Sequence, residues 1–286
     1  MNIAIIGLGV IGGTFAKAIR ANYGQKHRIM AIDVNQETLN MAIADKVIDV
    51  GETSNQFILS EADLVIFAIY PNMIKHFILR HRDDFKDGAT LTDTAGVKSV
   101  VMKDVEEILP HNISFIFGHP MAGREKKGYA FADASVFQGA NYVITKSELN
   151  SNQEIEAFKE FLYPLGFKRI TITDAYMHDE MIAHTSQLTH AIAVSLINSD
   201  DRLDETIKYI GDSYRDLTRI ANMNESLWPE LFRHNKEALL DNMERFEDAF
   251  TTLKEAIKND DLKAMESIFK ASSHRRTRLE QSDMKK

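Results

Sequence analysis

The sequence predicts an α/β fold in which a doubly wound, mostly parallel sheet of the Rossmann type precedes an all-helical domain. From residue 1 to about 172, short β-branched runs alternate with helical patterns, and most runs are too continuously apolar for a sheet with one wet face. After Thr173 the β-rich runs stop and helical periodicity continues nearly to the end. A length of 286 residues also favours two domains. We therefore expect domains at 1–172 and 173–286.

The elements follow from these patterns in chain order. In the second half, apolar residues recur at helical spacing along one long helix. This seam is either buried within its own chain or exchanged in a homodimer, and we expect a homodimer through the C-terminal helices. The predicted strands are NIAII, RIMAID, DLVIFAI, ATLTD, SFIFG, YVIT and RITIT. The seam consists of Leu239, Met243, Phe246, Phe250, Leu253 and Ile257.

Composition excludes several classes of protein. Lys and Arg number 34 against 42 Asp and Glu, and this acidic balance does not favour a nucleic-acid or membrane surface. The absence of cysteine excludes disulfides, thiolate metal sites and cysteine nucleophiles. The chain begins directly with a strand pattern, and its apolar runs are too short to span a bilayer. The sequence therefore predicts a cytoplasmic protein.

A glycine fingerprint, Gly7-x-Gly9-x-x-Gly12, lies between the first predicted strand and a helix. In a dinucleotide site the first glycine permits the tight turn, the second lets a pyrophosphate approach the backbone, and the third allows close helix packing. The second strand ends in Asp33, at the spacing of a carboxylate that binds ribose hydroxyls. No arginine follows to receive a 2′-phosphate, so we expect NAD rather than NADP. The alternative is a glycine-rich turn that only packs.

Three later stretches should also reach the ligand, because ligands lie outside the carboxyl ends of strands in an open sheet. The stretches are FAIYPN at 67–72, LTDTAGVKS at 91–99 and FIFGHPMAGREKKG at 115–128, where Pro71 and the glycines indicate loops rather than continuing strands. The further cofactor contacts predicted from these placements are Val10, Ile11, Tyr70, Pro71 and Thr94.

The third stretch contains a histidine between a glycine and a proline, His119. A neutral imidazole can accept a proton near pH 7, and a rigid backbone would hold it in place. On these residues alone, a catalytic base and a structural loop histidine both remain open.

Four segments of the sequence carry a family resemblance: GHPMAGREKKG, DTAGVKS, HDEMIAHTSQLTHAIA and YRDLTRIANMNESLWPELFRHNKE. With them, the sequence resembles the prephenate dehydrogenase family over residues 3 to about 237. GHPMAGREKKG resembles that family's His-Pro-Met/Ile-x-Gly-x-Glu-x-x-Gly loop, and DTAGVKS its Asp-x-x-Ser-Val-Lys strand end. HDEMIAHTSQLTHAIA is similar to its His-Asp…Ser-His-Leu-x-His helix. YRDLTRIANMNESLWPELFRHNKE is similar to its Phe-Lys/Arg-Asp-x-Thr-Arg-Ile-Ala…Trp block. The matches occur in order across both expected domains.

The resemblance implies that prephenate is oxidised and decarboxylated to 4-hydroxyphenylpyruvate with reduction of NAD. His119 matches the base that receives the substrate's hydroxyl proton. Gly96 occupies the position where many members have a serine that bonds this histidine and the hydroxyl. That contact is therefore in doubt here, and a water, Thr94 or a backbone amide could replace it.

The resemblance also implies cations for the two carboxylates of prephenate. Arg219 matches the carboxylate-binding arginine; an ion pair with Asp216 or Glu225 is the structural alternative. His190 matches the substrate histidine. The remaining predicted substrate contacts are Gln187 at a common histidine position, the loop Glu125, and Arg215 on the same helix face as Arg219. Further cations that could steer the dianion or pyrophosphate are Lys98, Arg124, Lys126 and Lys127.

Other readings of the sequence are less consistent with its residues. His178, His184 and His190 are six residues apart, so they cannot share a helix face, and we expect no metal site. A β-hydroxyacid dehydrogenase would carry a catalytic lysine in a glycine-rich helix after residue 173, and MHDEMIAHTSQLTHAIA has neither residue type. Arogenate dehydrogenase and a non-catalytic NAD-binding protein remain as alternatives.

Overall fold

The computed structural model describes residues 1–123 and 126–284 and confirms the predicted fold class. The chain separates into two compact units, Met1–Asn235 and Lys236–Lys286. No helix among the described residues is long and apolar enough to cross a bilayer.

The described part of the first unit contains one eight-stranded sheet. Its strands are β1 (Asn2–Ile6), β2 (Arg28–Ile32), β3 (Val50–Glu52), β4 (Leu64–Phe67), β5 (Thr90–Asp93), β6 (Ser114–Met121), β7 (Asn141–Thr145) and β8 (Arg169–Thr173). Their spatial order is β3-β2-β1-β4-β5-β6-β7-β8. The strands from β1 to β6 are parallel, whereas β7 pairs antiparallel with β6 and β8 parallel with β7. The order reverses between β1 and β4, which is where a doubly wound sheet binds its ligand.

The described part of the first unit contains eleven α-helices, and that of the second unit contains two. Those of the first unit are α1 (Val10–Tyr23), α2 (Gln36–Ala44), α3 (Ile58–Glu61), α4 (Pro71–Arg80), α5 (Ser99–Glu106), α6 (Asn152–Leu162), α7 (Ala175–Ile182), α8 (Leu188–Asn198), α9 (Leu203–Thr206), α10 (Asp212–Thr218) and α11 (Trp228–His234). Those of the second unit are α12 (Lys236–Lys258) and α13 (Leu262–Met284). The predicted apolar seam lies along α12.

Two apolar cores, one on each face of the sheet, explain the continuously apolar strands. In β1, Ile3 and Ile5 belong to one core while Ala4 and Ile6 belong to the other. Successive side chains of a strand point to opposite faces, so a sheet buried on both sides needs apolar residues at every position. All four side chains are at most 2% exposed.

Local hydrogen bonds explain where several helices begin. The Asn35 side chain accepts from the backbone N–H groups of Glu37 and Thr38 at the start of α2. Ser151 and Glu154 form a capping box at the start of α6. Asp174 caps α7 by accepting from the Met177 N–H. Each cap satisfies amide groups that have no partner within the helix.

The structure corrects the sequence-based elements in three places. The short strand β3 was not predicted, because three residues carry too little apolar pattern. Pro71 begins α4 rather than continuing a loop, and its fixed φ suits the first helical position. The strand β6 continues through His119 and Pro120 to Met121, where a loop was expected.

Candidate active site

The glycine loop connects β1 to α1 beside the end of β4. Gly7 has φ of +89°, and a Cβ on it would lie 2.8 Å from the Ala68 carbonyl oxygen. A Cβ on Gly12 would lie 1.9 Å from the Gly7 carbonyl oxygen. Glycine is therefore required at both positions, at the first by conformation and at the second by close packing. At Gly9 a Cβ would meet nothing within 4 Å, so this side of the loop has room for a ligand.

The first turn of α1 follows Gly9 directly, so its backbone amide groups lie next to the open space beside this glycine. Gly9 is the N-cap and supplies no side-chain cap, and no acidic residue occurs in the first turn, which contains Val10 and Ile11. The exposed N–H groups and the positive end of the helix dipole together favour an anion at this point.

Asp33 follows β2 and is tied to the glycine loop. One carboxylate oxygen accepts from the Leu8 N–H at 2.7 Å, and the other accepts from the Asn35 N–H at 2.8 Å. Each oxygen has a further lone pair that a ribose hydroxyl can use. The next side chain, Val34, is 89% exposed and offers no cation for a 2′-phosphate.

The other predicted cofactor residues lie at the ends of β4 and β5. Tyr70 is the N-cap of α4, and its hydroxyl accepts from the Asn224 side-chain amide at 3.2 Å. Pro71 is buried at the start of the same helix. The Thr94 hydroxyl donates to the Phe67 carbonyl at 3.2 Å, which joins the two strand ends. These residues thus border the same edge of the sheet as the glycine loop.

His119 lies on β6 at this edge and contacts a second histidine. Its Nδ1 is 2.9 Å from Nε2 of His178, which lies on α7. Its backbone is fixed by pairing with Val143 on β7. The preceding Gly118 must be glycine, because a Cβ there would lie 2.1 Å from the Tyr142 hydroxyl. The rigid setting expected for this histidine therefore comes from a strand pair.

His178 in turn bonds Asp179. Its Nδ1 is 2.7 Å from Oδ1 of that carboxylate, and both residues are buried. Asp179 also accepts from the backbone N–H groups of Lys98 and Ser99, each at 2.8 Å. The Asn235 amide donates to the Asp179 carbonyl at 2.8 Å. The Asp179 carboxylate is thus bonded to three groups: the His178 ring and the two backbone N–H groups at the start of α5.

Lys98 is enclosed beneath this network, which corrects its predicted steering role. Its Nζ donates to Asp93 at 2.6 Å and to the carbonyl oxygens of Ala95 and Val97 at 2.7 and 3.5 Å. The lysine and Asp93 side chains are both 0% exposed. With its donors directed at protein acceptors, this ammonium does not reach a ligand.

Burial changes the proton affinities in this network. Burial, His178 and the charge of Lys98 hold the pKa of His119 well below its ordinary value. Burial also lowers the pKa of His178, although Asp179 opposes this effect. Burial disfavours ionisation of Asp179, but hydrogen bonds from His178 and Ser99 outweigh it and lower the pKa of that carboxyl. Both imidazoles are therefore neutral near pH 7, beside an ionised carboxylate.

Gly96 lies directly against the His119 ring. A Cβ on Gly96 would be 3.8 Å from Nε2 and Cε1 of His119 and 3.7 Å from Cδ2 of Leu231 on α11. These are ordinary contact distances, so the Cβ of a larger residue such as serine would fit here. The free edge of the His119 ring thus faces Gly96, as its place in the family motif implies.

His190 lies on α8 and packs against the sole tryptophan. Its Nδ1 is 2.8 Å from the Ser186 carbonyl oxygen, so that nitrogen carries a hydrogen. Its ring centroid is 3.9 Å from that of Trp228 on α11. Trp228 and Leu231 both pack against the apolar core that contains Ala95. The helix α11 therefore contacts His190 through Trp228 and lies beside Gly96 and His119 through Leu231.

The two predicted arginines lie beside α8. Arg219 is exposed, in the turn Arg219–Ala221 that packs against α8, the helix of His190. Arg215 is exposed on α10 and pairs with Asp212 at 3.3 Å. Glu225, one structural alternative for Arg219, contacts Lys127 at 3.0 Å.

Gln187 is buried rather than turned toward a ligand. Its Oε1 accepts from Asn235 at 2.9 Å, and its Nε2 donates to the Leu231 carbonyl at 3.2 Å. It ends a π-helical turn, Ala183–Gln187, between α7 and α8. A π-turn changes the helical phase, so His178 and His190 are not related by the continuous helix that the sequence argument assumed. The described residues contain no group of three or more His, Cys, Asp or Glu side chains suited to a metal ion.

The loop charges fall into two groups. Arg124 and Glu125, for which steering and substrate contact were predicted, lie outside the described residues. Lys127 is exposed and pairs with Glu225, while Lys126 is exposed with its Nζ 5.4 Å from the Phe131 ring centroid.

Sequence reasoning missed the support of His119. His178 was considered only as a metal ligand, and Asp179, Asp93 and Asn235 were not considered. The adjacent His-Asp pair within HDEMIAH was the available signal, since a histidine followed by a carboxylate is suited to orienting another group. Its partner lies 59 residues away in sequence, and no local pattern links the two.

Comparison with known proteins gives consistent similarities along nearly the whole chain. The family model described as "Prephenate dehydrogenase, nucleotide-binding domain" matches residues 15–171, and that described as "Prephenate dehydrogenase, dimerization domain" matches residues 174–271. Prephenate dehydrogenase of Lactococcus lactis subsp. cremoris is 31% identical over 285 residues, covering 97% of this chain and 77% of the relative. That of Bacillus subtilis is 28% identical, covering 97% and 76%.

A solved structure is similar over almost the same extent. Prephenate dehydrogenase from A. aeolicus, in complex with hydroxyphenyl propionate and NAD+, is 27% identical with a TM-score of 0.88. The similarity covers 98% of each chain.

Proposed function

The chain belongs to the prephenate dehydrogenase family, and we propose that it oxidises and decarboxylates prephenate to 4-hydroxyphenylpyruvate with reduction of NAD, a step of tyrosine biosynthesis. The observation that carries the proposal is the place of His119. Its ring lies at the carboxyl edge of a nucleotide-binding sheet, with Nε2 beside Gly96 and Nδ1 bonded to a buried partner.

NAD fits the residues of the glycine loop. Gly9 leaves room for the pyrophosphate, the first turn of α1 supplies N–H donors, and Asp33 supplies a carboxylate for the ribose hydroxyls. Val10, Ile11, Tyr70, Pro71 and Thr94 complete the proposed cofactor site. NAD+ held by these residues would supply the hydride acceptor for the ring carbon that carries the hydroxyl.

His119 acts as the base for the hydroxyl. As hydride leaves, the developing positive charge on the carbon acidifies the hydroxyl, and Nε2 takes its proton. Loss of the ring carboxylate as carbon dioxide then leaves the electron pair that makes the ring aromatic. The product is a phenol, so the proton returns from His119 to the same oxygen. The overall reaction therefore releases no proton. The base takes the hydroxyl proton only temporarily and returns it to the product.

The helical region supplies the contacts for the substrate's charged groups. Arg219 would bind a carboxylate, with a planar fork suited to two parallel hydrogen bonds, and His190 would contact the pyruvyl end. Gly96 borders the hydroxyl, and Arg215 adds positive potential. Glu125 is proposed as a further contact from the family motif. For Gln187 the buried amide supports a role in holding α11 rather than direct contact.

The larger organisation is part of the same proposal. Residues 1–172 would bind the nucleotide, and 173–286 would bind substrate and form a homodimer through the C-terminal helices. The two family models, which meet between residues 171 and 174, support this division. We propose that the enzyme works in the cytoplasm, with no nucleic-acid or membrane partner, as a charge of −8 favours.

Turnover assays test the activity directly. We expect NADH formation, followed by absorbance, when the purified protein receives prephenate and NAD+, and less with arogenate. In His119→Asn we expect kcat to fall by about 10²-fold or more, because the base is lost while shape is kept.

A binding measurement serves as the control. His119→Asn should bind NAD+ in titration calorimetry as the wild type does. Faster turnover of arogenate would reverse the substrate choice, absence of turnover with either substrate would refute the enzyme, and full activity of His119→Asn would remove His119 as base.

A further inference from the structure

The strongest unused feature of the molecule is the buried pair His178 and Asp179 behind His119. His178 is 2% exposed and Asp179 5% exposed. Neither can touch a substrate bound beside Gly96, because the His119 ring lies between His178 and Gly96. Burying an imidazole and a carboxylate is costly unless they are paired, so their role needs an explanation.

The direction of the hydrogen bonds can be derived from the carboxylate end. Asp179 accepts from the backbone N–H groups of Lys98 and Ser99, and an ionised carboxylate can only accept. His178 must therefore carry its hydrogen on Nδ1, which donates to Asp179 at 2.7 Å. A neutral imidazole has one N–H, so Nε2 of His178 is an acceptor.

The same reasoning passes to the next ring. Nδ1 of His119 lies 2.9 Å from the Nε2 acceptor of His178, so His119 carries its hydrogen on Nδ1. Its Nε2 is then unprotonated, and this is the nitrogen that faces Gly96 at 3.8 Å from the Cβ position. A histidine without such a partner can instead place its hydrogen on Nε2, where it could not accept the proton of a hydroxyl.

We propose that His178 and Asp179 are positioning residues that hold His119 in the Nδ1–H tautomer and share the proton it borrows. This inference rests on the proposed function of His119. When Nε2 takes the hydroxyl proton, the Nδ1 proton shifts toward Nε2 of His178, and the positive charge is then adjacent to the Asp179 carboxylate. When the phenolate oxygen takes its proton back from Nε2, the Nδ1 proton returns. No proton is gained or lost by the network over the cycle.

The support from His178 does not depend on the residue at position 96, since the His-Asp pair belongs to the same family motif as the serine expected there. A serine there would orient the histidine from its Nε2 side, whereas His178 orients it from the Nδ1 side. The lowered pKa of His119 is consistent with a base that is unprotonated before each turnover. The buried Asp93 and Lys98 pair balances its own charge beneath the network, so Asp179 remains the carboxylate in contact with His178.

The tautomer can be measured without substrate. We would label histidines with ¹⁵N and record long-range ¹H–¹⁵N spectra at pH 7.5, with His119 assigned by its absence in His119→Asn. The expected result is a His119 ring with hydrogen on Nδ1 and a free Nε2. Hydrogen on Nε2 in the wild type would overturn the proposal while leaving the dehydrogenase activity itself intact.

Two substitutions of His178 separate positioning from packing. His178→Gln can still accept from His119 through its amide oxygen but cannot take the proton, whereas His178→Leu can do neither. We expect kcat for prephenate to fall by about 10²-fold in His178→Leu and less in His178→Gln, with KM changed by no more than about threefold. His178→Leu should also shift the His119 hydrogen toward Nε2.

The matched control is His111→Leu, the same change at an exposed histidine outside this network. It should keep wild-type kcat and the wild-type His119 spectrum. Titration of NAD+ checks that each variant is folded. Wild-type kcat in a folded His178→Leu would refute the proton sharing between His119 and His178. If that variant is unstable, the tautomer of His119 in the wild-type protein decides the proposal.

Discussion

At the residue scale, His119 is supported from its Nδ1 side by His178 and Asp179, the His-Asp pair of the family motif. The resemblance raised the question of what replaces a serine at Gly96. The contacts show that the ring is held without a side chain at position 96, because its Nδ1 is bonded to His178 while its Nε2 faces the space above Gly96. The candidate replacements considered from sequence were all near Nε2, and the structure places the support on the opposite side of the ring.

The space above Gly96 leads to a prediction about side-chain size. In Gly96→Ser the Cβ fits at ordinary contact distance, whereas the two methyl groups of Gly96→Val would fill the volume between Leu231 and His119 that we propose for the substrate hydroxyl. We expect Gly96→Val to lower kcat/KM by about 10- to 100-fold, equivalent to the 1–3 kcal/mol typical of overpacking, mainly through KM.

Steady-state kinetics on both variants check this prediction. Gly96→Ser is the matched control and should lose less than about tenfold, since it adds a single polar atom. Equal losses in the two variants would contradict the steric account.

At the scale of elements, the turn between β1 and α1, which we propose binds the nucleotide, contains one glycine needed for packing and another that faces open space. Gly12 is packed against the Gly7 carbonyl, whereas Gly9 faces open space, although both precede or begin the same helix. The fingerprint identifies both glycines, but only the surrounding backbone shows that they are required for different reasons.

The same substitution at the two glycines should therefore have different effects. We expect Gly12→Ala to lower the free energy of unfolding by about 1–3 kcal/mol, because its methyl group would overlap the Gly7 carbonyl. Gly9→Ala should keep the stability of the wild type and weaken NAD+ binding by about tenfold, since the methyl group would stand where the pyrophosphate approaches.

Urea unfolding and calorimetric titration of NAD+ measure the two quantities, and each variant serves as the control for the other. A destabilised Gly9→Ala, or a Gly12→Ala of wild-type stability, would contradict the assigned roles.

At the scale of the whole molecule, neutral buried histidines link stability to pH. Burial lowers the pKa of His119 and, against opposing contributions, that of His178 and His234. In the unfolded chain these groups titrate near 6.5, so below that pH the unfolded state binds more protons than the folded state. Their contribution to stability is thus fully present above about pH 6.5 and is lost as pH falls toward their folded-state pKa values.

We expect the free energy of unfolding to decrease from pH 7.5 to pH 5.5, by up to about 1.4 kcal/mol per pH unit for each additional proton bound by the unfolded chain. Urea titrations at several pH values measure this slope. His119→Asn should have a smaller slope than the wild type. A stability that rises on acidification through this range would contradict the neutral state of the buried rings.

The fold class and the family could be recognised from the sequence alone, and the site positions were predicted from it. The strand runs are apolar at nearly every position because both faces of the sheet are buried, and this pattern can be recognised in the sequence itself. Glycines 7, 9 and 12, Asp33 and His119 could be predicted as site residues because nucleotide sites and family motifs depend on local order along the chain.

The surroundings of those positions became known only from the folded structure. It extended β6 through His119, enclosed Lys98 and Gln187, and joined His119 to His178 and Asp179. These outcomes depend on contacts between residues far apart in the chain, whose distances are set by packing of the helices against the sheet edge. Local periodicity carries no information about such contacts, so the residues that hold the proposed base could be identified only after the chain was folded.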